Sequence, residues 1–363
     1  MNPTRQLHDL GQSLWLDNIT RALLKDGTLS RYIKEFSVTG LTSNPTIFDH
    51  AIKNAGDYDD AIQKKAHAGK SGEGLFFELA LEDLTQAADL FLPIHDATDG
   101  VDGWVSLEVS PLLADDTAGT IKAAALLHAR AQRRNLFIKI PGTRAGLPAI
   151  EETIFAGVPV NVTLLFSREQ YVAAAGAYMR GIERRIAAGR DPQVHSVASI
   201  FVSRWDVAIR DKVPEHIRNR LGIAIARRTY KSYCELLASP RWKKLGDAGA
   251  RTQRLLWAST GTKDPGASDT LYVEALAAPN TINTLPEKTL HAFAEHGRVK
   301  DAMPIDGGDA EEMLAAFVYE GVNEAELAAK LQGEGTEAFA KSWSDLMSCI
   351  ASKSDALTKA HQA

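Results

Sequence analysis

Cysteine is scarce: Cys234 and Cys349 are the only two in 363 residues. Two such distant cysteines make neither a disulfide framework nor a C-x-x-C pair, so a reducing compartment is expected. No apolar run approaches the roughly 18 residues of a membrane-spanning helix. The N-terminal stretch MNPTRQLHDLGQ lacks a long apolar core and does not read as a signal peptide. Positive charge is not in excess either. The formal net charge is -5, and no basic cluster is interleaved with aromatics, so nucleic acid is not an expected partner. The ten histidines are scattered, His291 and His296 are five apart, and no H-E-x-x-H occurs, so no metal site is expected. A G-x-S-x-G elbow is missing too. These absences leave a cytoplasmic, soluble globular protein, in keeping with 45% hydrophobic and 24% charged residues.

Strand-like stretches recur between helical ones. Leu14–Asp17 puts Trp15 and Asp17 on one face, and residues 19 to 36 read as helical, with Ile19, Leu23 and Leu24 at helical spacing before a turn near Gly27. Val38–Pro45 follows, with Thr42 and Asn44 together and Asn44 placed to cap a helix from Pro45. Residues 46 to 98 look like two or three helices. Within them Ala68-Gly-Lys-Ser71 is no phosphate loop, because no strand precedes it and Lys64 stands where its first glycine belongs. Val101–Val109 turns Trp104, Ser106 and Glu108 to one side. Helices are expected over 115 to 134 and 145 to 156. Between them runs Asn135–Thr143. Val158–Phe166 places Asn161 and Thr163 together, and Ser167-Arg-Glu-Gln170 is a capping box for a helix to about Gly189. That helix should bury Tyr171, Ala175, Tyr178, Ile182 and Ile186. His195–Ser203 pairs Ser199 with Phe201, and Arg204 lies just beyond. Arg254–Ser259 groups Trp257 with Ser259, and Thr281–Pro286 is a weaker eighth strand. Helices are expected over about 287 to 360, with Gly333-x-Gly335-x-x-Ala338 as the loop opening the last one.

Repetition of strand and helix about eight times predicts a (β/α)8 barrel of the TIM type, with additional helices and a C-terminal helical extension, in one unit over residues 1–363. Length alone would equally allow two domains. In such a barrel the strand ends carrying Asp17, Asn44, Glu108, Lys139, Asn161, Thr163, Ser199 and Ser259 converge on one mouth. An open doubly wound sheet would not bring them together.

Lys139 is the most informative of these. Leu136, Ile138 and Ile140 make one face of its strand wholly aliphatic, while the other ends in an amine just before Pro141-Gly142. A buried ammonium is costly unless paired, and a neutral amine in an apolar pocket attacks carbonyl carbon to give a Schiff base. A single strand lysine more commonly snorkels to solvent or meets a carboxylate. Here the convergent polar ends favour chemistry.

Nearly the whole chain resembles the transaldolase family of class I Schiff-base enzymes. The carriers are Thr-Ser-Asn-Pro (42–45), Val-Ser-Leu-Glu-Val (105–109), Ile-Lys-Ile-Pro (138–141), Asn-Val-Thr-Leu-Leu-Phe (161–166) and Ser-Ile-Phe-Val-Ser-Arg (199–204). The resemblance is to the longer-chain subgroup. It implies transfer of a dihydroxyacetone unit from sedoheptulose 7-phosphate or fructose 6-phosphate to glyceraldehyde 3-phosphate or erythrose 4-phosphate, in the pentose phosphate pathway, with no cofactor or metal. Lys139 is the implied nucleophile, Asp17 the acid-base group at the C4 hydroxyl, and Glu108 with Thr163 the holders of a proton-shuttling water. Thr42, Asn44, Asn161, Ser199 and Phe201 would surround the substrate carbons. Arg204 and Ser259 would hold the phosphate, although Arg204 could instead pair with Asp206 at the surface. The family's Ser-x-Arg phosphate motif reads Ser259-Thr-Gly261 here, and Lys263 is the expected substitute unless it is a solvated loop lysine. Sugar phosphates are the expected partners, of a monomer or homodimer. Two rivals remain open at this point: a fructose-6-phosphate aldolase, whose kind carries glutamine where Glu108 stands, and a non-catalytic sugar-phosphate-binding barrel.

Overall fold

A computed structural model describes residues 2–360; Met1 and residues 361–363, which fall within the expected single unit, lie outside the described residues. Eight parallel strands close into a barrel in sequence order. They are β1 (Ser13–Asp17), β2 (Val38–Thr42), β3 (Trp104–Glu108), β4 (Leu136–Pro141), β5 (Val160–Leu165), β6 (Ser196–Phe201), β7 (Gln253–Ala258) and β8 (Ile282–Leu285). Both faces of the strands are buried, which is why their sequences are rich in aliphatic residues. The outward face of β4, Leu136, Ile138 and Ile140, joins the large cluster under the surrounding helices. The inward face of the lower barrel is filled by Trp15, Trp104, Phe137, Val197, Leu256 and Ile282. The barrel is therefore a packed core below and a polar ring above.

Local signals set the helix starts. Asn44 accepts from the backbone N–H of Ile47 and opens the helix Pro45–Asn54, and Ser167 with Gln170 forms the expected capping box. The helical stretch over 19 to 36, with its expected turn near Gly27, is two helices, Arg21–Lys25 and Thr28–Phe36, and Gly27 between them adopts a left-handed φ of 79°. The helix expected over 115 to 134 runs Thr117–Ala131, ended by Gln132 at φ 48°. Ile186, expected in a buried stripe, is 37% exposed because it falls in the last turn of its helix.

The largest departure is at the C-terminus. Gly333 and Gly335 do not open the last helix; they lie inside one uninterrupted helix, Glu324–Ala360. An interior glycine costs about 1 kcal/mol relative to alanine, and Gly335 repays this by close packing. A Cβ there would stand 2.9 Å from Leu164 Cδ2 and 3.1 Å from Arg204 Nη1. Gln332 on the same helix donates to the carbonyls of Gly142 (3.1 Å) and Leu164 (2.9 Å), so the helix is strapped to the ends of β4 and β5. Among the described residues no helix is long and apolar enough to cross a membrane.

Candidate active site at the barrel mouth

Parallel register builds the site. Glu108 is level with Lys139, Lys139 with Asn161, and Asp17 with Thr42 on adjoining strands. Lys139 is 5% exposed. Its Nζ donates to the carbonyl of Ser43 at 3.0 Å and stands 3.4 Å from Oε2 of Glu108. The turn that Asn44 and Pro45 impose after β2 presents that carbonyl to the amine. Neither oxygen of Glu108 has a hydrogen-bond donor among the described residues, and Thr163 Oγ1 is likewise buried without a partner. The Lys139 amine is the group that holds the carboxylate.

Burial pushes the Glu108 carboxyl above the usual carboxylate range; the nearby amine opposes this and Asp17 adds to it. Asp17 is also raised by burial, against the opposing attraction of Lys139, a hydrogen bond from Thr42 and the charge of Lys263. Thr42 Oγ1 lies 2.7 Å from both Asp17 Oδ1 and Thr284 Oγ1. On the other side of the lysine, Ser199 donates to Asn161 Oδ1 at 2.7 Å, and Asn161 Nδ2 donates to Ser106 Oγ at 3.1 Å. These bonds fix the amide and leave its surroundings polar but uncharged.

Asp17, Thr42, Asn44, Lys139, Thr163, Ser199, Phe201, Arg204, Ser259 and Lys263 all line one cavity of about 140 Å³. Glu108 and Asn161 do not line it and instead flank Lys139 in the sheet. Arg204 is the first-turn residue of the helix Ser203–Ile209. The surface pairing with Asp206 does not occur. Asp206 is buried, accepting from the N–H groups of Leu221 and Gly222 and from Tyr272. The Arg204 guanidinium lies instead between two rings, 5.1 Å from the centre of Phe201 and 5.9 Å from that of Phe339. Lys263 is exposed but reaches the same cavity.

Two residues enter by departures from strand alternation. Trp257 does not share the mouth with Ser259: it packs outward, and Leu256 and Ala258 face in. Ser259 reaches the cavity because a left-handed φ of 56° ends the alternation, and its Oγ meets that of Ser203 at 2.9 Å. On β5 the register slips between Val162 and Leu165, with Leu164 at φ 58°. This bulge turns Leu164 towards the inner cluster under the C-terminal helix. Sequence reasoning did not find Thr284 or Phe339. Alternation along β8 could have found the threonine. Phe339 has no local signal, since only the path of the long helix brings it over the mouth.

The chain is similar in sequence to curated transaldolases. The family model described as transaldolase/fructose-6-phosphate aldolase matches residues 14–350. A transaldolase of Arthrobacter sp. (strain FB24) is 45% identical over 354 residues, covering 95% of each chain. One from Parafrankia sp. (strain EAN1pec) is 43% identical over 357 residues, covering 96% of this chain and 97% of its own. One from Thermobifida fusca (strain YX) is 43% identical over 359 residues, covering 96% and 98%. With the five motifs set around one closed-barrel mouth, the chain belongs to the transaldolase/fructose-6-phosphate aldolase family.

Proposed function

We propose that this chain is a transaldolase that moves a dihydroxyacetone unit between sugar phosphates through a Schiff base on Lys139. The observation that carries the reading is the buried amine beside a buried glutamate, the amine sharing one cavity with an arginine held against two aromatic rings. An attacking amine must be unprotonated, and Glu108, raised by burial, is an adjacent seat for the proton. Attack on the keto carbon of fructose 6-phosphate or sedoheptulose 7-phosphate gives a carbinolamine. Loss of its hydroxyl as water, with a proton delivered by way of Glu108 and Thr163, gives the iminium.

Asp17 then takes the C4 hydroxyl proton. The C3–C4 electron pair moves into the iminium as the bond breaks, so an aldose phosphate departs and an enamine stays on Lys139. The iminium is the electron sink, which removes any need for a metal at this step. Asn161, Ser199 and Asn44 suit the hydroxyls of the retained carbons. Attack of the enamine on glyceraldehyde 3-phosphate or erythrose 4-phosphate reverses the sequence. Arg204 would bind the phosphate through parallel N–H bonds, with Lys263 and Ser259 beside it.

Borohydride reduction with fructose 6-phosphate tests the reading. We expect a reduced three-carbon adduct on Lys139, located by peptide mapping, and transfer to erythrose 4-phosphate in its absence. An adduct on Lys122 or Lys263 would overturn the nucleophile. No adduct would favour a sugar-phosphate-binding barrel, and release of free dihydroxyacetone without transfer would favour an aldolase.

A further inference from the structure

A second cavity opens at the other end of the barrel. Its lining residues His195, Arg251 and Arg254 lie at or just before the starts of β6 and β7, opposite the ends that form the mouth. Its volume is about 340 Å³, within the roughly 300–1,000 Å³ of small-molecule sites. The floor is Trp104 stacked on Phe137, ring centres 4.0 Å apart. The His195 ring leans on Trp104 at 4.9 Å. Burial, with help from the Arg251 charge, holds that imidazole down at about 4, so it is neutral and adds no positive charge.

The charges are one-sided. Arg251 and Arg254 line the cavity, and among the described residues no carboxylate does. Arg251 pairs with Asp99, but that side chain is 83% exposed and lies outside the lining, where water screens it. Arg254 spends its terminal nitrogens on the carbonyls of Val101 and Thr281 and the hydroxyl of Ser13. Nε of each arginine is buried without an acceptor. Arg251 Nη2 also donates to Gln193 Oε1, so what remains is one buried Nε–H on each arginine; two such donors beside an aromatic wall call for an anion with an apolar planar body. A bare phosphate would satisfy these two donors and leave the apolar wall uncovered. Guanidinium N–H groups donate to carboxylate as readily as to phosphate, so the apolar wall decides for a carboxylate on a planar ring.

We propose that this cavity binds a small planar carboxylate, an aromatic or heteroaromatic acid, at a site separate from the sugar-phosphate mouth. The inference does not depend on the chemistry at Lys139. The cavity floor does lie on the strands that carry Glu108 and Lys139, so an occupant would press on the base of the same ring.

Calorimetric titration of the full chain with indole-3-carboxylate, and with the uncharged indole-3-carboxamide, tests it. The acid should bind at least about tenfold more tightly than the amide, since the charge-assisted bonds are lost with the charge. Arg251→Gln should weaken the acid by a similar factor and leave transfer activity intact. Ala250→Phe, which fills the cavity from its wall, should abolish binding. Circular dichroism checks that variant's fold, and Arg251→Gln alone keeps the test decisive. Saturating fructose 6-phosphate should leave the acid bound. Absence of acid binding at millimolar concentration, equal binding of acid and amide, indifference to Arg251→Gln, or displacement by fructose 6-phosphate would each overturn the proposal.

Discussion

At the residue scale the site is a problem of placing few charges in little water. Among the described residues the Glu108 oxygens have no donor other than the amine 3.4 Å away, so burial and that amine set its proton affinity. Glu108→Gln keeps the shape and removes the titration. Transfer should slow and free dihydroxyacetone should form a larger share of product, because proton shuttling around the enamine is altered. Product ratios with fructose 6-phosphate and erythrose 4-phosphate measure this, and an unchanged ratio would assign the distinction to another residue. Lys263 and Arg204 share the cavity but not the environment, one exposed and the other between two rings. Lys263→Ala should raise KM for fructose 6-phosphate with kcat nearly kept, the pattern of lost uniform binding. Arg204→Ala should raise it further. If KM for unphosphorylated fructose rises equally in the Lys263 variant, that lysine is not a phosphate ligand. Most of these side chains were legible in the sequence, because period-2 alternation places a polar strand end on a known face. Ser259 was legible only in part. Its grouping with Trp257 failed because its left-handed backbone breaks the alternation just past β7.

At the element scale the long helix Glu324–Ala360 is the departure that matters. Its sequence carries two glycines that read as a break, and only the close approach to Leu164 and Arg204 explains Gly335 inside a helix. The same helix brings the Phe339 ring within 5.9 Å of the Arg204 guanidinium. Phe339 is thus a positioning residue for the cation at the mouth. Phe339→Leu keeps an apolar side chain and removes the ring. A cation–ring contact is worth about 0.5–2 kcal/mol, so KM for phosphorylated substrates should rise roughly twofold to thirtyfold. The turnover number and the urea midpoint should change little. An equal rise for unphosphorylated fructose would mean that the ring shapes the cavity and does not hold the arginine. Capping signals, by contrast, act over a few residues and were readable without tertiary structure, as at Asn44 and Ser167.

At the scale of the whole molecule, buried polar groups tie the shell of helices together. Asp206, on the helix Ser203–Ile209, accepts from the start of the helix Leu221–Ala238 and from Tyr272 of the helix Leu271–Ala275. Burial raises its carboxyl from 3.8 to about 6, against those hydrogen bonds. Between these values the folded chain holds a proton that the unfolded chain has released. Stability from this group is therefore complete below about pH 4 and is lost as pH rises to about 6, by about 3 kcal/mol in all. Asp206→Asn should flatten that part of the pH dependence in urea unfolding between pH 4 and 7. A slope equal to the parent's would place the titration elsewhere. Taken alone, the sequence determined what depends on neighbours along the chain: eight strands with their inward faces, the helix caps, and a lysine at a strand end among polar residues. Only the tertiary structure decided what depends on distant segments meeting. It placed Glu108 3.4 Å from the amine, turned Asp206 away from Arg204, bulged β5 at Leu164, and laid the last helix across the mouth. The physical reason is range. Alternation and capping are satisfied within a few residues, whereas burial, charge pairing and close packing are properties of the closed barrel.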